Sequence, residues 1–173
     1  MDLKAKLRET RYPHHQWDIL SYVCEGKEQF AELISCFFSD DLWLSHRACL
    51  LILEVEKDQP TWVKEQVPAM VALLSNELPD WKKRNILRIL QKQEIPEAYW
   101  GPAADQCFNY LSSPEEQVAV KVFSMSVIYN LTKEVPELAR ELRLLIEDPY
   151  PMGSAGFKAR SRQILKQLDK NGL

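Results

Sequence analysis

The sequence predicts an all-α protein, a right-handed α-α superhelix of about four helix pairs that follow an N-terminal helical segment. Three observations predict this class: apolar residues recur at helical spacing, similar residues recur every 37 positions, and prolines fall between the segments. No segment alternates apolar and polar residues over several positions, as a half-buried strand would. The 173 residues suit a single domain spanning positions 1–173.

The 37-residue repeat is visible in several independent columns. Stepping by 37 from Arg47 reaches Arg84, Lys121 and Lys158. Three apolar columns keep the same offset: Ile34, Val71, Phe108 and Leu145; Leu33, Met70, Cys107 and Leu144; and Leu53, Leu90, Val127 and Ile164. One offset shared by several columns indicates a repeated supersecondary unit. We therefore predict repeats at about 28–57, 61–93, 97–132 and 135–170, after a helical cap over residues 1–25.

Each repeat is predicted to contain two helices joined by a short turn. In the first repeat, apolar residues at positions 30, 33, 34 and 37 follow the spacing of a helix with one buried face. Prolines precede the predicted first helices at Pro60, Pro96 and Pro136, and the second helices at Pro79 and Pro114. Proline is tolerated at helix starts and disfavoured in helix interiors. Pro68 falls inside a predicted first helix and should kink it.

An acidic residue stands six positions before a basic one in two of the second helices, in the pairs Asp41 with Arg47 and Glu115 with Lys121. In this spacing of acidic and basic residues the chain resembles the HEAT-like repeat family. Residues 121–125 and 153–162 also resemble small bacterial HEAT-like proteins of unassigned role. The second repeat departs from the spacing, with Asp80 only four positions before its basic residue, and the fourth repeat has no acid at the equivalent place. The resemblance implies stacked helix pairs whose second helices line a concave face. It also implies that the periodic cations pair with the acids in a ladder.

Composition excludes several classes of protein. The net charge of −3 gives no overall attraction to nucleic acid or to acidic membranes. The longest uncharged runs have 11 residues, whereas a membrane-spanning helix needs about 20. The four cysteines form no C-x-x-C pair and lie mostly among apolar neighbours, so we predict reduced thiols, no bound metal or other cofactor, and a cytoplasmic location.

No catalytic constellation is visible. The stretch from Gly153 to Lys158 resembles a fragment of the signature loop of the adenylosuccinate lyase and fumarase superfamily, which would imply a lyase. Ala155 replaces that loop's second serine, so we interpret the stretch as the start of the last helix with Ser154 as its N-cap. The adjacent histidines at positions 14 and 15 are interpreted as an exposed turn, and His46 has no spaced partner to orient it as a base. We predict that the protein is not an enzyme.

Charge is distributed unevenly along the chain. Residues 153–173 have a side-chain balance of +4 and residues 1–12 of +2, which leaves −9 on residues 13–152. The predicted partner-binding residues on the concave face are the cations Arg47, Lys83, Arg84, Arg88, Lys121, Lys158, Arg160, Arg162 and Lys166. Trp81, beside three basic residues, either packs between repeats or stacks on a ligand, while the other repeat tryptophans are interpreted as packing between repeats. The periodic cations are either paired within the fold or free to bind anions.

These features predict a non-enzymatic scaffold that binds a protein or peptide along its concave second-helix face. The alternative is a nucleic-acid-binding protein, because the resemblance extends to HEAT-like DNA-repair glycosylases, which hold duplex DNA on such a face. The acidic background of the chain disfavours this alternative, because it would repel phosphates.

Overall fold

The computed structural model describes residues 1–9 and 16–173, which form eleven α-helices, two short 3₁₀ helices and no β-strand. The α-helices are α1 (Leu3–Glu9), α2 (Gln16–Val23), α3 (Lys27–Phe37), α4 (Leu42–Asp58), α5 (Pro60–Lys64), α6 (Val67–Leu73), α7 (Asp80–Leu90), α8 (Trp100–Ser112), α9 (Val118–Leu131), α10 (Leu138–Glu147) and α11 (Ala155–Lys170). The 3₁₀ helices cover Glu97–Tyr99 and Tyr150–Met152. The predicted all-α class is confirmed. Within the described ranges, no helix combines the length and the apolar character needed to cross a membrane.

The chain forms two compact units, Met1–Gln66 and Val67–Leu173. The division of the chain into four repeats of 37 residues within one domain stays a prediction.

Helix α4 is the centre of the first unit, where it packs against α1, α2, α3 and α5. Its apolar side is fully buried, with Ala48 and Ile52 excluded from solvent. The hydroxyl of Ser45 donates a 2.5 Å hydrogen bond to the carbonyl of Phe37, and this buried bond ties the start of α4 to the end of α3. The carboxylate of Asp41 caps α4 by accepting a hydrogen bond from the backbone N–H of Leu44 at 3.0 Å.

The first helix of the predicted second repeat is interrupted. Helix α5 ends at Lys64 and α6 begins at Val67, so Pro68 is the second residue of α6. A proline in the first turn of a helix costs no hydrogen bond, because the N–H groups there have no partner within the helix. Pro68 therefore does not kink a continuous helix, as the sequence predicted; the helix is instead interrupted two residues before it.

Helix α9 is the centre of the second unit, where it packs against α7, α8, α10 and α11. Neighbours on so many sides leave the middle of α9 without an exposed face, and Ser124, Met125, Val127 and Ile128 are all buried. The second helices α7 and α11 both lie against α9, so α9 stands between them in contact with each. We call the surface formed by these three helices the α7–α9–α11 face.

Three contacts set the register of the α7–α9–α11 face. The side-chain amide of Gln117 donates to the carboxylate of Asp80 at 2.7 Å, which joins the starts of α9 and α7. Near the ends of the same helices, the amide of Asn130 donates to the backbone carbonyl of Gln91 at 2.7 Å. The hydroxyl of Ser161 lies 3.9 Å from the sulfur of Met125, between α11 and α9. Residues about 37 positions apart therefore occupy equivalent places on neighbouring helices.

Replacing Tyr110 by phenylalanine tests the buried polar contacts of this unit. The Tyr110 hydroxyl donates a 2.9 Å hydrogen bond to the carbonyl of Leu74, and both residues are buried. Tyr110→Phe should lower the free energy of unfolding by about 1 kcal/mol, because the buried Leu74 carbonyl loses this donor. Urea denaturation measures the change. The matched control is Tyr129→Phe, which removes only the exposed contact with Asn171 and should change stability by less than about 0.5 kcal/mol. Equal stabilities of the two variants would contradict the prediction.

Candidate functional site

The clearest candidate site is a row of cations on the α7–α9–α11 face. Arg84, Lys121 and Lys158 lie within about the first turn of α7, α9 and α11 and are 37 positions apart. Each is half-buried, and none forms an ion pair with another residue that the structure describes. We call these three residues the cation row. The expected ladder partner of Lys121, Glu115, is exposed and makes no ion pair with a described residue.

Further cations extend the row along two of its helices. Arg88 follows Arg84 by one turn of α7, and Arg162 follows Lys158 by one turn of α11. Arg88, Arg162 and the more distant Lys166 are exposed. Within residues 1–9 and 16–173, no acidic group pairs with any of the three. The face therefore carries more positive charge than the fold neutralises.

Lys83 lies next to the row and has a structural role. Its side chain is only 15% exposed, and its ammonium group contacts Glu116 at 2.7 Å and Asp80 at 3.0 Å. Burial by itself lowers the pKa of Lys83, but the hydrogen bonds to Glu116 and Asp80 outweigh it, so the pKa lies above its ordinary value. The ammonium group also lies 5.5 Å from the ring centre of Tyr110. Lys83 is paired within the fold and therefore does not belong to the candidate surface.

Arg160 is also engaged inside the second unit. Its guanidinium donates hydrogen bonds to the hydroxyl of Ser126 on α9 and, at 3.3 Å, to the side-chain carbonyl of Gln91 at the end of α7. The predicted binding residue Arg160 therefore links three helices, and we omit it from the candidate surface as well.

Arg47, the first cation of the periodic column, lies in the first unit and does not pair with Asp41. Its guanidinium stacks over the ring of Trp43, 4.7 Å from the ring centre. Asp41 instead accepts hydrogen bonds from the N–H of Leu44 and from Arg8 of α1, the latter at 2.9 Å. These two contacts, the backbone one first, hold the pKa of Asp41 below its ordinary value. The ladder pairing of Asp41 with Arg47 was wrong, because α1 supplies a different cation to the same carboxylate.

The tryptophans divide into packed and exposed side chains. Trp62 lies 5.7 Å from Phe30, measured between ring centres, and Trp100 donates to the carbonyl of Ile95 at 2.8 Å, so both serve packing. Trp43 is 57% exposed, which packing between repeats does not explain. Trp81 is half-buried, with the ammonium of Lys82 6.0 Å from its ring centre. A stacking role for Trp81 stays a prediction.

The lyase-like stretch is explained by the start of α11. The Ser154 hydroxyl accepts a hydrogen bond from the backbone N–H of Phe157 at 3.3 Å, which confirms Ser154 as the N-cap. A Cβ atom on Gly153 would lie 2.7 Å from the ring of Phe157, so a larger residue there would displace that buried ring. Helix capping and close packing thus account for the Gly-Ser pair without catalysis.

The described residues assemble no recognisable catalytic or metal centre. Among them, no group of three or more His, Cys, Asp and Glu side chains is placed to hold a metal ion. The predicted turn at His14 and His15 lies outside the described residues. Burial raises the pKa of the Cys107 thiol to about 12, which suppresses the thiolate needed for nucleophilic chemistry. Cys24, Cys36, Cys49 and Cys107 are all free thiols.

Sequence reasoning missed an apolar groove of about 700 Å³ in the second unit. Residues from the α8–α9 turn, the starts of α9 and α11 and the end of α10 line it, including Val118, Lys121, Leu144, Met152 and Phe157. Met152 is 92% exposed, Leu144 60% and Val118 44%. Leu144 belongs to an apolar column whose other three members are completely buried, so the repeat pattern carries no signal of its exposure.

Substitution of Lys83 should distinguish cations that stabilise the fold from cations that form no ion pair. Lys83→Met should lower the free energy of unfolding by about 2 kcal/mol at neutral pH, because Asp80 and Glu116 lose a charged hydrogen-bond partner. Since the folded-state pKa of Lys83 is raised, its contribution is complete at neutral pH and is lost only as the pH rises above about 10.5. Urea denaturation at neutral and alkaline pH measures both effects. Arg88→Met, the control, should change stability by less than about 0.5 kcal/mol. A larger loss in the control than in Lys83→Met would contradict this assignment.

Comparison with known proteins identifies the family. No curated protein and no solved structure matches the chain. A family model described as a HEAT repeat domain matches residues 3–168. Because this match covers nearly the whole chain, and the described residues form stacked α-helices, the protein belongs to the HEAT repeat domain family.

Proposed function

We propose that this protein is a non-enzymatic helical-repeat scaffold that binds an acidic segment of a partner protein on its α7–α9–α11 face. The observation that carries the proposal is the cation row, because Arg84, Lys121 and Lys158 form no ion pair with any described residue. The exposed Arg88 and Arg162 lie on the same helices and extend the surface that a ligand could contact.

Repulsion within the row favours an anionic ligand. Packed helices are about 8–10 Å apart, and two unit charges at that distance repel by about 0.5 kcal/mol in a water-like dielectric. The repulsion is larger for half-buried groups, because the effective dielectric constant is lower there. Carboxylates placed along the row would replace this repulsion by attraction. The binding energy would therefore come from charges that the fold itself leaves unneutralised.

The wider charge distribution favours an acidic protein over nucleic acid. The cation row and the three cations that extend it form no ion pair with a described residue and lie on α7, α9 and α11, in a chain whose net charge is −3. A nucleic acid extends well beyond a short row, so its phosphates would meet the acidic remainder of the chain. A short acidic segment can be confined to the face. Helical-repeat architecture suits such binding, because each repeat adds a further strip to a continuous surface. The free thiols fit a reducing compartment, and we propose a cytoplasmic location.

Selection from a displayed library of random peptides tests the proposal without assuming a partner. The enriched peptides should be acidic and should bind more weakly as salt concentration rises. Arg88→Glu should weaken binding by at least about fivefold, equivalent to about 1 kcal/mol. The control is Lys4→Glu, which reverses an exposed cation on α1 of the first unit and should change affinity by less than about twofold.

Three outcomes would reject an acidic protein ligand. The first is enrichment of peptides without an acidic bias, and the second is equal loss of binding in the Arg88→Glu and Lys4→Glu proteins. The third is tight binding of labelled duplex or single-stranded DNA that falls steeply with salt and is abolished by Arg88→Glu. That third result would establish the nucleic-acid alternative.

A further inference from the structure

We infer that the apolar groove of the second unit receives the hydrophobic side chains of the same acidic partner segment. This inference rests on the proposed function and specifies its ligand: a short protein segment with aliphatic side chains next to carboxylates. The groove lies between the starts of α9 and α11 and the end of α10, and its volume of about 700 Å³ is typical of ligand-binding clefts.

The groove is continuous with the cation row. Lys121 is both the middle member of the row and a lining residue of the groove. Ser154 and Phe157, which also line the groove, lie within one turn of Lys158. A segment that places carboxylates on Lys121 and Lys158 is therefore already at the edge of the groove, and its neighbouring side chains can enter without a change in direction.

The groove exposes apolar surface that the rest of the unit buries. In the apolar column of the repeat, Met70 and Cys107 are fully buried, whereas Leu144 is 60% exposed. Met152 beside it is 92% exposed. Exposed apolar side chains clustered around a concave surface are typical of interaction sites, and methionine adapts its shape to varied partners. These residues offer the hydrophobic contact that a charged row alone cannot supply.

Charge across the groove determines which end of the ligand is acidic. Glu116 also lines the groove, but its carboxylate contacts Lys83 and forms no ion pair with Lys121. The N-terminal, positive ends of the α9 and α11 dipoles line the groove together with Lys121. The C-terminal, negative end of the α10 dipole and the exposed Asp148 also line it. The carboxylates of the ligand should therefore lie toward α9 and α11, with its aliphatic side chains over Leu144.

The inner wall of the groove is fixed by close packing. Phe157 is only 5% exposed, and its ring leaves no space for a Cβ atom on Gly153. The ring is therefore held in one position beside the groove. A wall of this kind loses little conformational freedom on binding, which favours recognition of particular side-chain shapes.

Uncharged substitutions at exposed leucines test the groove separately from the cation row. The probe is a fluorescent peptide enriched by selection on the wild-type protein. Leu144→Gln should weaken its binding by at least about tenfold, because burying an aliphatic side chain contributes that much or more. The matched control is Leu42→Gln, since Leu42 is 57% exposed in the first unit, and it should change affinity by less than about twofold. Replacing the aliphatic residues of the peptide by serine should reproduce the effect of Leu144→Gln.

The outcomes separate the two proposals. Binding that depends on Arg88 but not on Leu144 overturns the groove inference and leaves the acidic-ligand function intact. Failure of the selection to yield acidic peptides overturns the proposed function itself. Light scattering of the wild type and Leu144→Gln tests whether a second copy of the chain occupies the groove. A wild-type dimer that the substitution converts to a monomer would show that it does. This result would also overturn the inference.

Discussion

The packing of α9 against four other helices is the constraint on which the second unit depends. A helix with neighbours on all these sides cannot keep a polar face along its middle, so its central residues are apolar or small, such as Met125 and Ser124. Charge is admitted only near its ends, and Lys121 stands in the first turn. The same packing holds both α7 and α11 against α9. The place of Lys121 in the cation row is thus a consequence of where a central helix can tolerate a charge.

Two neighbouring residues on α7 show that the direction in which a side chain leaves the helix decides the role of a cation. Lys83 and Arg84 are adjacent in sequence but point about 100° apart on the helix. One direction meets Glu116 and Asp80, and the resulting ion pairs fasten the starts of α7 and α9. The other direction meets no acid among the described residues. Two side chains of the same charge therefore divide into one that holds the fold and one that is available to a ligand.

Much of the fold could be predicted from the sequence, because local periodicity encodes helices and the 37-residue offset encodes their repetition. The cap at Ser154 also follows from local chemistry. Contacts made from outside the repeated pattern could not be predicted: Arg8 donates to the carboxylate of Asp41, and Arg8 lies on α1, within the predicted N-terminal cap. The groove could not be predicted either. Whether Leu144 is buried depends on which residues pack over it, and a leucine in the sequence is compatible with a buried or an exposed position.

The contacts of Arg160 have a consequence for how the second unit unfolds. In most solenoids each repeat touches only its immediate neighbours, so stability adds up along a line and the ends can fray independently. Arg160 reaches Ser126 and, 69 positions away in sequence, Gln91. This bond connects α11 to α7 across the intervening pair of helices. Melting of α11 therefore removes a hydrogen bond from the end of α7, so the opening of these two helices is coupled.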